Sequence, residues 1–252
     1  MKLKVLSYNI HKGFTGDSRR FVLSRIRESI RRTEADLVFL QEVQGEHRSH
    51  SVRQKDWPGA AQFEFLADEV WSHFAYGKNA VYTEGHHGNA ILSRYPIEQW
   101  ENIDISNHRF EQRGLLHATL RIPRELQEPL RVHAICLHLD LFEFGRKRQL
   151  VRLCERIARD IPPGEPLLVS GDFNDWTGSA SRHLEGHASL QEVFTVLEGR
   201  PARTFPSFLP LLRLDRIYYR GLRPISAARL AGDDWKGLSD HAAILAELEV
   251  VS

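Results

Sequence analysis

The stretch Leu167-Leu-Val-Ser-Gly-Asp-Phe-Asn174 places a carboxylate and an amide directly after a short apolar run. Apolar residues without polar alternation are typical of a strand that is covered on both faces. Pro162-Pro-Gly164 ends the helix-like segment before it, so the apolar run begins a new element. The sequence therefore predicts an interior strand whose end presents Asp172 and Asn174.

The same arrangement recurs along the chain. Taken singly, an Asn or Asp after a strand is usually a turn former, because its side chain bonds its own backbone. A strand end can also hold a functional side chain still while a loop presents it. Several such ends in one chain predict a shared site. Apolar runs end in, or begin from, the following polar residues: Asn9, Glu42, His138, Asp172 with Asn174, Asp215, and Asp240 with His241.

Strand-like segments outnumber helix-like ones, and helices separate only some of the strands. Helical spacing of apolar residues is found over residues 18–32, 65–74 and 144–160. This pattern favours two sheets packed on each other with helices outside, rather than one doubly wound parallel sheet. We therefore predict an α/β fold, a four-layer α/β/β/α sandwich of two mixed sheets. Without a break in composition, we expect one domain over residues 1–252.

Composition sets the limits on partners and compartment. The chain has 252 residues, 34 Lys and Arg against 33 Asp and Glu, and a formal net charge of +1. It lacks the overall basic excess common in nucleic-acid binders, so charge alone does not choose the substrate. No apolar run approaches the ~18 residues of a membrane span. The two cysteines, Cys136 and Cys154, exclude a disulfide framework, and we expect a cytoplasmic monomer with reduced thiols.

Seven short motifs carry a family resemblance. They resemble the endonuclease/exonuclease/phosphatase superfamily, whose deoxyribonuclease I-like fold is shared by apurinic endonucleases, neutral sphingomyelinases and inositol polyphosphate 5-phosphatases. The resemblance covers residues 5–241, and the opening Asn9–Gly13 is similar to that of uncharacterised bacterial members. In family order the motifs are Ser7-Tyr-Asn9, Leu40-Gln-Glu42, Gly88-Asn-Ala-Ile-Leu-Ser93, Leu137-His-Leu139, Ser170-Gly-Asp-Phe-Asn174, Leu214-Asp-Arg-Ile217 and Leu238-Ser-Asp-His241.

The resemblance implies a metal-dependent phosphoesterase in which water attacks a phosphate ester in line. The expected cofactor is Mg²⁺, with Mn²⁺ as a substitute, and Mg²⁺ prefers oxygen ligands. Glu42 is implied as the principal ligand, with Asn9 and Asp240 contributing directly or through water. His11 stands where many nuclease members carry an aspartate. That departure weakens the case for a second metal site but leaves the Glu42 site intact.

The resemblance also assigns catalytic roles. Asp172 is implied to orient or deprotonate the attacking water, and Asn174 to hold that water or a phosphoryl oxygen. His241 is expected on the scissile phosphate as an imidazolium, with Asp215 bonded to its far nitrogen. His138 occupies the position of a second phosphate-facing histidine, with its role as acid or as electrostatic clamp left open.

Two further residues are assigned to the substrate. We assign Arg113 and Asn89 to substrate binding, although a solvent-facing arginine at a strand edge is equally consistent with the pattern. His86 and His87 are interpreted as loop surface, because no Cys or His cluster at zinc spacing accompanies them.

The substrate remains open between two classes. Arginines over residues 18–32 and 146–159 favour a nucleic-acid backbone. The apolar segment Thr204–Leu212 favours an acyl chain or an unstacked base, unless it is simply a core-packed loop. We predict a phosphodiesterase with nucleic acid ahead of a phospholipid or inositol head group. A binding module that kept the fold and lost turnover is the third hypothesis.

Overall fold

The structure is a computed structural model that describes residues 1–47, 54, 56–107, 112–124 and 127–250. Within these ranges the strands form two mixed sheets of six. The first contains β1 (Lys2–Asn9), β2 (Leu37–His47), β3 (His73–Tyr82), β4 (Gly85–Ser93), β11 (Leu222–Arg229) and β12 (Ile244–Val250). The second contains β5 (Ile97–Asp104), β6 (Gly114–Arg124), β7 (Gln127–His138), β8 (Leu167–Asp172), β9 (Gln191–Glu192) and β10 (Asp215–Arg220). The helices are α1 (Leu23–Arg32), α2 (Gln62–Ala67), α3 (Glu143–Asp160), α4 (Ser179–Ala188) and α5 (Val193–Glu198).

Three apolar clusters separate four layers. The central cluster joins the inner faces of the two sheets, for example through Phe39 and Cys136. A second cluster packs Ile26 of α1 against the outer face of the first sheet. A third packs Leu153 of α3 and Leu184 of α4 against the outer face of the second sheet. The predicted α/β/β/α sandwich is therefore confirmed.

The two sheets repeat one topology. The first has the strand order β11-β12-β1-β2-β4-β3, and the second has β5-β6-β7-β8-β10-β9. In each sheet one parallel pair, β1–β2 or β7–β8, sits among antiparallel neighbours. α1 lies between the strands of the first pair in the chain, and α3 between those of the second. Such a crossover makes the second strand of a pair run parallel to the first. The ends of these four strands therefore meet at one edge of the sandwich.

The helix predicted over residues 65–74 is wrong from Asp68 onward, and the observed helix begins earlier, at Gln62. α2 ends at Ala67, and Glu69 adopts a left-handed conformation with φ 62°, which turns the chain. The Trp71 indole then donates to the Ala35 carbonyl at 2.9 Å. β3 begins at His73 and is an edge strand. Some of the aromatic residues whose spacing suggested a helix therefore belong to this strand. None of the helices in the described ranges has the length and apolar character to cross a bilayer.

Candidate active site

Asn9, at the end of β1, lies at the centre of a polar cluster. Its Nδ2 donates to Glu42 Oε1 at 3.3 Å and to Asp172 Oδ2 at 3.2 Å. The same Asp172 oxygen lies 3.4 Å from His138 Nε2 and 3.6 Å from His241 Nε2. Side chains from both sheets therefore converge on one carboxylate, as the positions of these residues at strand ends predicted.

A bulge in β2 positions Glu42. The register between β2 and β4 shifts between Leu40 and Val43, and Glu42 itself has φ 56°. Bulges redirect side chains, and a left-handed non-glycine residue is a local strain that surrounding structure must hold. The Glu42 carboxylate lies 3.6 Å from Lys12 Nζ. Burial opposes ionisation of Glu42, but the charges of Lys12 and His11 outweigh it and lower the pKa of this carboxyl.

A glycine brings Asp172 against β7. Gly171 has φ 148°, and a Cβ there would lie 1.9 Å from the Leu137 carbonyl oxygen. Only glycine allows this close approach, which pairs Asp172 with His138 across the parallel strands. The backbone N–H of Asn174 donates to Asp172 Oδ1 at 2.9 Å. One oxygen of Asp172 is thus fixed by the backbone, and the other faces the histidines.

His241 is held from both sides. Its Nδ1 donates to Asp215 Oδ2 at 2.9 Å, and the Phe205 ring packs 5.0 Å away, centroid to centroid. The Ser239 hydroxyl donates to the Asn9 carbonyl at 2.7 Å and accepts from the His241 backbone N–H at 3.2 Å. The imidazole therefore has a fixed orientation, with Nε2 directed to Asp172.

Burial and charge act in opposite directions on His241. Burial disfavours its cation, but Asp215 and Asp172 outweigh burial and raise the pKa of His241 to about 10. Burial raises the pKa of Asp172 to about 6, although His241 and the hydrogen bonds from Asn174 and Asn9 favour its ionised form. At neutral pH the two groups form an imidazolium–carboxylate pair.

His138 differs from His241 in charge. Its burial, together with the positive charges of Arg113 and His241, holds the pKa of His138 well below its usual range. The side chain is 10% exposed and reaches Asp172 as a neutral imidazole. Arg113, which immediately precedes β6, also contributes to the lowered pKa of His87, and its assignment to substrate binding stays a prediction.

Two of the assigned amides have their side-chain nitrogens occupied by backbone carbonyls. Asn174 Nδ2 donates to the Leu139 carbonyl at 3.0 Å. Asn89 Nδ2 donates to the Gly114 carbonyl at 3.0 Å and lies 3.5 Å from that of Cys136. Asn89 therefore links β4 of one sheet to β6 and β7 of the other. The roles of both amides toward substrate stay predictions.

The oxygen donors suit a divalent cation such as Mg²⁺. Glu42 and Asp240 flank the His11–Gly13 turn, Glu42 beside Lys12 and Asp240 with Oδ1 3.7 Å from His11 Nδ1. Carboxylate and amide oxygens at Glu42, Asp240 and Asn9 are the hard donors this ion prefers. A second group, Asp172, Asp215 and His241, has ligand atoms within 4.8 Å of one another. There the imidazolium already balances the carboxylates, so we assign this group to proton chemistry.

Sequence reasoning missed three residues of the site. Lys12 lies beside Glu42, and the Ser239 hydroxyl supports His241. His86 and His87 belong to β4 rather than to a loop, so their interpretation as loop surface is wrong. His87 pairs with Gln44, two residues past Glu42, and burial with the charge of Lys12 lowers the pKa of His87 to about 4. The opening Asn9-Ile-His-Lys-Gly13 could have indicated that Lys12 lies in a turn beside Asn9. Gly13 allows a left-handed turn, and this turn extends back through His11 and Lys12.

Known structures share this architecture. An endonuclease/exonuclease/phosphatase from Beutenbergia cavernae aligns at TM-score 0.75 with 20% identity, covering 99% of this chain and 72% of that one. The human Nocturnin catalytic domain with bound sulfate aligns at TM-score 0.76 with 19% identity, covering 99% and 95%. D. rerio TDP2 with a single-strand DNA product aligns at 0.69 with 20% identity, covering 99% of each chain. At these identities the likeness confirms the fold.

Sequence relatives are closer. The uncharacterized protein YbhP of Escherichia coli K12 is 49% identical over 247 residues, covering 98% of this chain and 96% of YbhP. YbhP of Shigella flexneri gives the same values. Residues 6–241 match the Endonuclease/Exonuclease/phosphatase family. The chain therefore belongs to the endonuclease/exonuclease/phosphatase family.

Proposed function

We propose that this protein is a divalent-metal-dependent phosphodiesterase that hydrolyses its substrate by in-line attack of water. One observation carries the proposal. His241 is held as a cation between Asp215 and Asp172, while Asn9 connects Asp172 to the oxygen ligand Glu42. An anion-stabilising cation, a carboxylate of raised pKa and hard oxygen ligands together suit hydrolysis of a phosphate ester.

Each residue has a role in the proposed reaction. Asp172 accepts a proton from the attacking water, the water oxygen bonds to phosphorus, and the ester P–O bond breaks. The leaving oxygen takes a proton from solvent. The His241 imidazolium stabilises charge on the equatorial oxygens, and Asp215 keeps it protonated. Neutral His138 retains one N–H, so it donates a hydrogen bond rather than acting as a cationic clamp. Glu42, Asn9 and Asp240 would hold the metal ion, which would neutralise phosphate charge and polarise the ester.

Different observations bear on the two candidate substrate classes, nucleic acid and phospholipid. The preference for nucleic acid depended on arginines that are partly committed to ion pairs: Arg27 and Arg31 with Asp68, Arg32 with Asp234, Arg156 with Glu101, and Arg159 with Asp160. A phospholipid head group is the second candidate. It is favoured because the apolar segment Thr204–Leu212 contacts His241 through Phe205 and exposes Phe208 by 86%. The cytoplasmic location and the monomeric state stay predictions.

The proposed function is tested on three substrates with one preparation. We expect the protein to cleave bis(p-nitrophenyl) phosphate with Mg²⁺ or Mn²⁺ and to lose activity with a chelator. Plasmid DNA and phospholipid vesicles then separate the two substrate classes. Asp240→Asn serves as the contamination control, because a contaminating nuclease would persist in it. If wild type and Asp240→Asn are equally inactive on all three substrates, the protein is a binding module and the proposal is wrong.

The proposed base gives the pH profile a distinct acid limb. The pKa of Asp172 is raised to about 6, so the ionised form is lost below that pH. We expect kcat/KM to fall about tenfold per pH unit below 6 and to stay level through neutral pH. A second fall should begin near the His241 pKa of about 10. Initial rates on the soluble diester from pH 4.5 to 10.5 measure both limbs.

Asp215→Asn should move both limbs in a known direction. Asp215 raises the pKa of His241 and also that of Asp172, so its neutralisation lowers both. We expect the alkaline limb to shift toward neutral pH, with the acid limb shifting less because burial is the larger cause for Asp172. An unshifted alkaline limb would show that His241 does not carry the charge assigned to it.

A further inference from the structure

Exposed apolar side chains are concentrated beside the active site. Of the seventeen large apolar side chains that are exposed in the described ranges, eight lie on loops or helix starts near the catalytic strand ends. Phe142 and Phe144 are 73% exposed and Phe208 is 86% exposed. Patches of this kind mark interaction sites, whereas single exposed apolar residues need no explanation. We call this set the apolar rim: Leu141, Phe142, Phe144, Trp176, Phe208, Leu209, Leu211 and Leu212.

The segments of the rim border the site, and two buried arginines connect them. Leu141 is three residues past His138, and Trp176 is two past Asn174. Arg146 connects these two segments, because it donates to the Leu141 carbonyl and stacks 4.7 Å over the Trp176 ring. Arg216 connects the second and third segments through the carbonyls of Asp175 and Arg213.

The third segment of the rim is an ordered loop. Thr204 N–H donates to the Leu212 carbonyl at 2.8 Å, and Leu211 N–H donates to the Phe205 carbonyl at 2.9 Å. The Ser207 hydroxyl donates to the Ser239 carbonyl at 2.6 Å. These hydrogen bonds hold the loop while its apolar side chains face solvent. The loop is therefore not core-packed as a whole, which was one of its sequence interpretations.

Positive charge accompanies the rim. Arg200 and Arg203 are exposed in the segment that leads into the loop, and Arg213, next to Leu212, is half-buried. Arg148 lies 5.8 Å over the Phe144 ring. The one acidic side chain between Phe142 and Phe144, Glu143, pairs with Lys147 at 2.7 Å. Apolar side chains interspersed with cations complement a bilayer surface, which has a hydrocarbon interior and anionic head groups.

We propose that the apolar rim docks the enzyme on an anionic phospholipid bilayer, with its side chains inserted at the head-group boundary and the exposed Arg148, Arg200 and Arg203 on lipid phosphates. The active site then faces the membrane surface, where phosphodiesters of phospholipids lie. The inference rests on the proposed function only for what the docked enzyme cleaves. Docking itself requires no turnover, so the two can fail separately.

The test is flotation of the full chain with vesicles. The vesicles contain phosphatidylcholine with about 30 mol % phosphatidylglycerol, or phosphatidylcholine alone. The test variants are Phe142→Ser/Phe144→Ser and Leu209→Ser/Leu211→Ser. Phe208 is left intact because it lines a cavity of about 630 Å³ with Asp240 and His241. The matched control is Trp100→Ser, an aromatic on β5 that is 51% exposed and outside the rim.

We expect wild type and Trp100→Ser to float with the anionic vesicles, and each double variant to partition about tenfold more weakly. Part of the binding should survive moderate salt, because insertion of apolar side chains is not screened. Hydrolysis of the soluble diester should be unchanged in both double variants. If that hydrolysis is absent in wild type while vesicle binding follows the rim, the proposed function fails and the docking surface stands.

Three results would overturn docking. The first is flotation of the double variants equal to that of wild type. The second is loss of single-stranded DNA binding in the double variants while no vesicle binding is seen, which would assign the rim to unstacked bases. The third is a wild-type dimer that both double variants convert to monomer, with no flotation, which would assign the rim to a second copy of the chain.

Discussion

Replacement of His241 by alanine should lower kcat on any phosphodiester by about a thousandfold, the scale on which loss of a charge-stabilising donor acts. Its imidazolium is 7% exposed and lies between Asp215 at 2.9 Å and Asp172 at 3.6 Å. In this low-dielectric position a positive charge aimed at the phosphate acts without reorganisation of solvent. KM should change far less than kcat, because the interaction strengthens as charge develops in the transition state.

The His241 variant needs a check on folding. Its removal leaves two buried carboxylates without their cation, and this lowers stability. His241→Gln fills more of the volume and retains a donor toward Asp215, but carries no charge, and it should lose a similar factor in kcat. His183→Ala is the matched control, since His183 lies on α4 and stacks on His187 away from the site. If His241→Gln keeps most of the turnover of wild type, the assigned role of the imidazolium is wrong.

The interior of the fold was predictable because burial leaves a local signature. The sequences of β8 and of the core of β1 are apolar runs, and both segments are buried strands in the structure. The edge strands β3 and β5 were missed because solvent covers much of each. In β5 the burial pattern shows no alternation, so residues 97–104 carry no period of two. Edge strands are specified by pairing with a neighbour, which one segment of sequence does not contain.

Most of the polar side chains that gather at the strand ends could be named from the sequence, but their geometry could not. Resemblance implied roles for them, and those roles stay predictions. The bulge that turns Glu42 inward depends on pairing between β2 and β4. The contact between Lys12 and Glu42 depends on a left-handed turn meeting that bulge. Contacts between elements far apart in sequence arise only once the two sheets pack. A local sequence pattern therefore does not predict them.

The repeated sheet order was likewise invisible in the sequence. The two halves share strand order and crossover, yet no internal sequence repeat is evident. Topology is maintained by where apolar faces pack, and many side-chain combinations satisfy that requirement. The polar residues at the shared edge differ between halves, with an amide at the end of β1 and an imidazole at the end of β7. One architecture used twice thus supplies two different sets of groups to one site.

Glu42→Gln should act chiefly through metal affinity. The substitution keeps the size of the side chain and one oxygen but removes the charge, and carboxylate charge dominates binding of a hard cation such as Mg²⁺. We expect activity at limiting Mg²⁺ to fall about a hundredfold, and the half-saturating Mg²⁺ concentration to rise by a similar factor. Excess Mg²⁺ should restore part of the rate, in contrast to the His241 variants, where no metal concentration replaces the imidazolium.

Binding of Mn²⁺ tests the Glu42 assignment without turnover. Titration followed by the electron paramagnetic resonance signal of free Mn²⁺ gives the affinity of wild type, Glu42→Gln and the control Glu46→Gln. Glu46 lies on the same strand, four residues on, and is exposed. Weaker Mn²⁺ binding in Glu42→Gln alone supports a metal centre at the bulge. Equal binding in all three proteins would place the ion elsewhere, and Lys12 would then be the principal partner of Glu42, which already lies 3.6 Å from it.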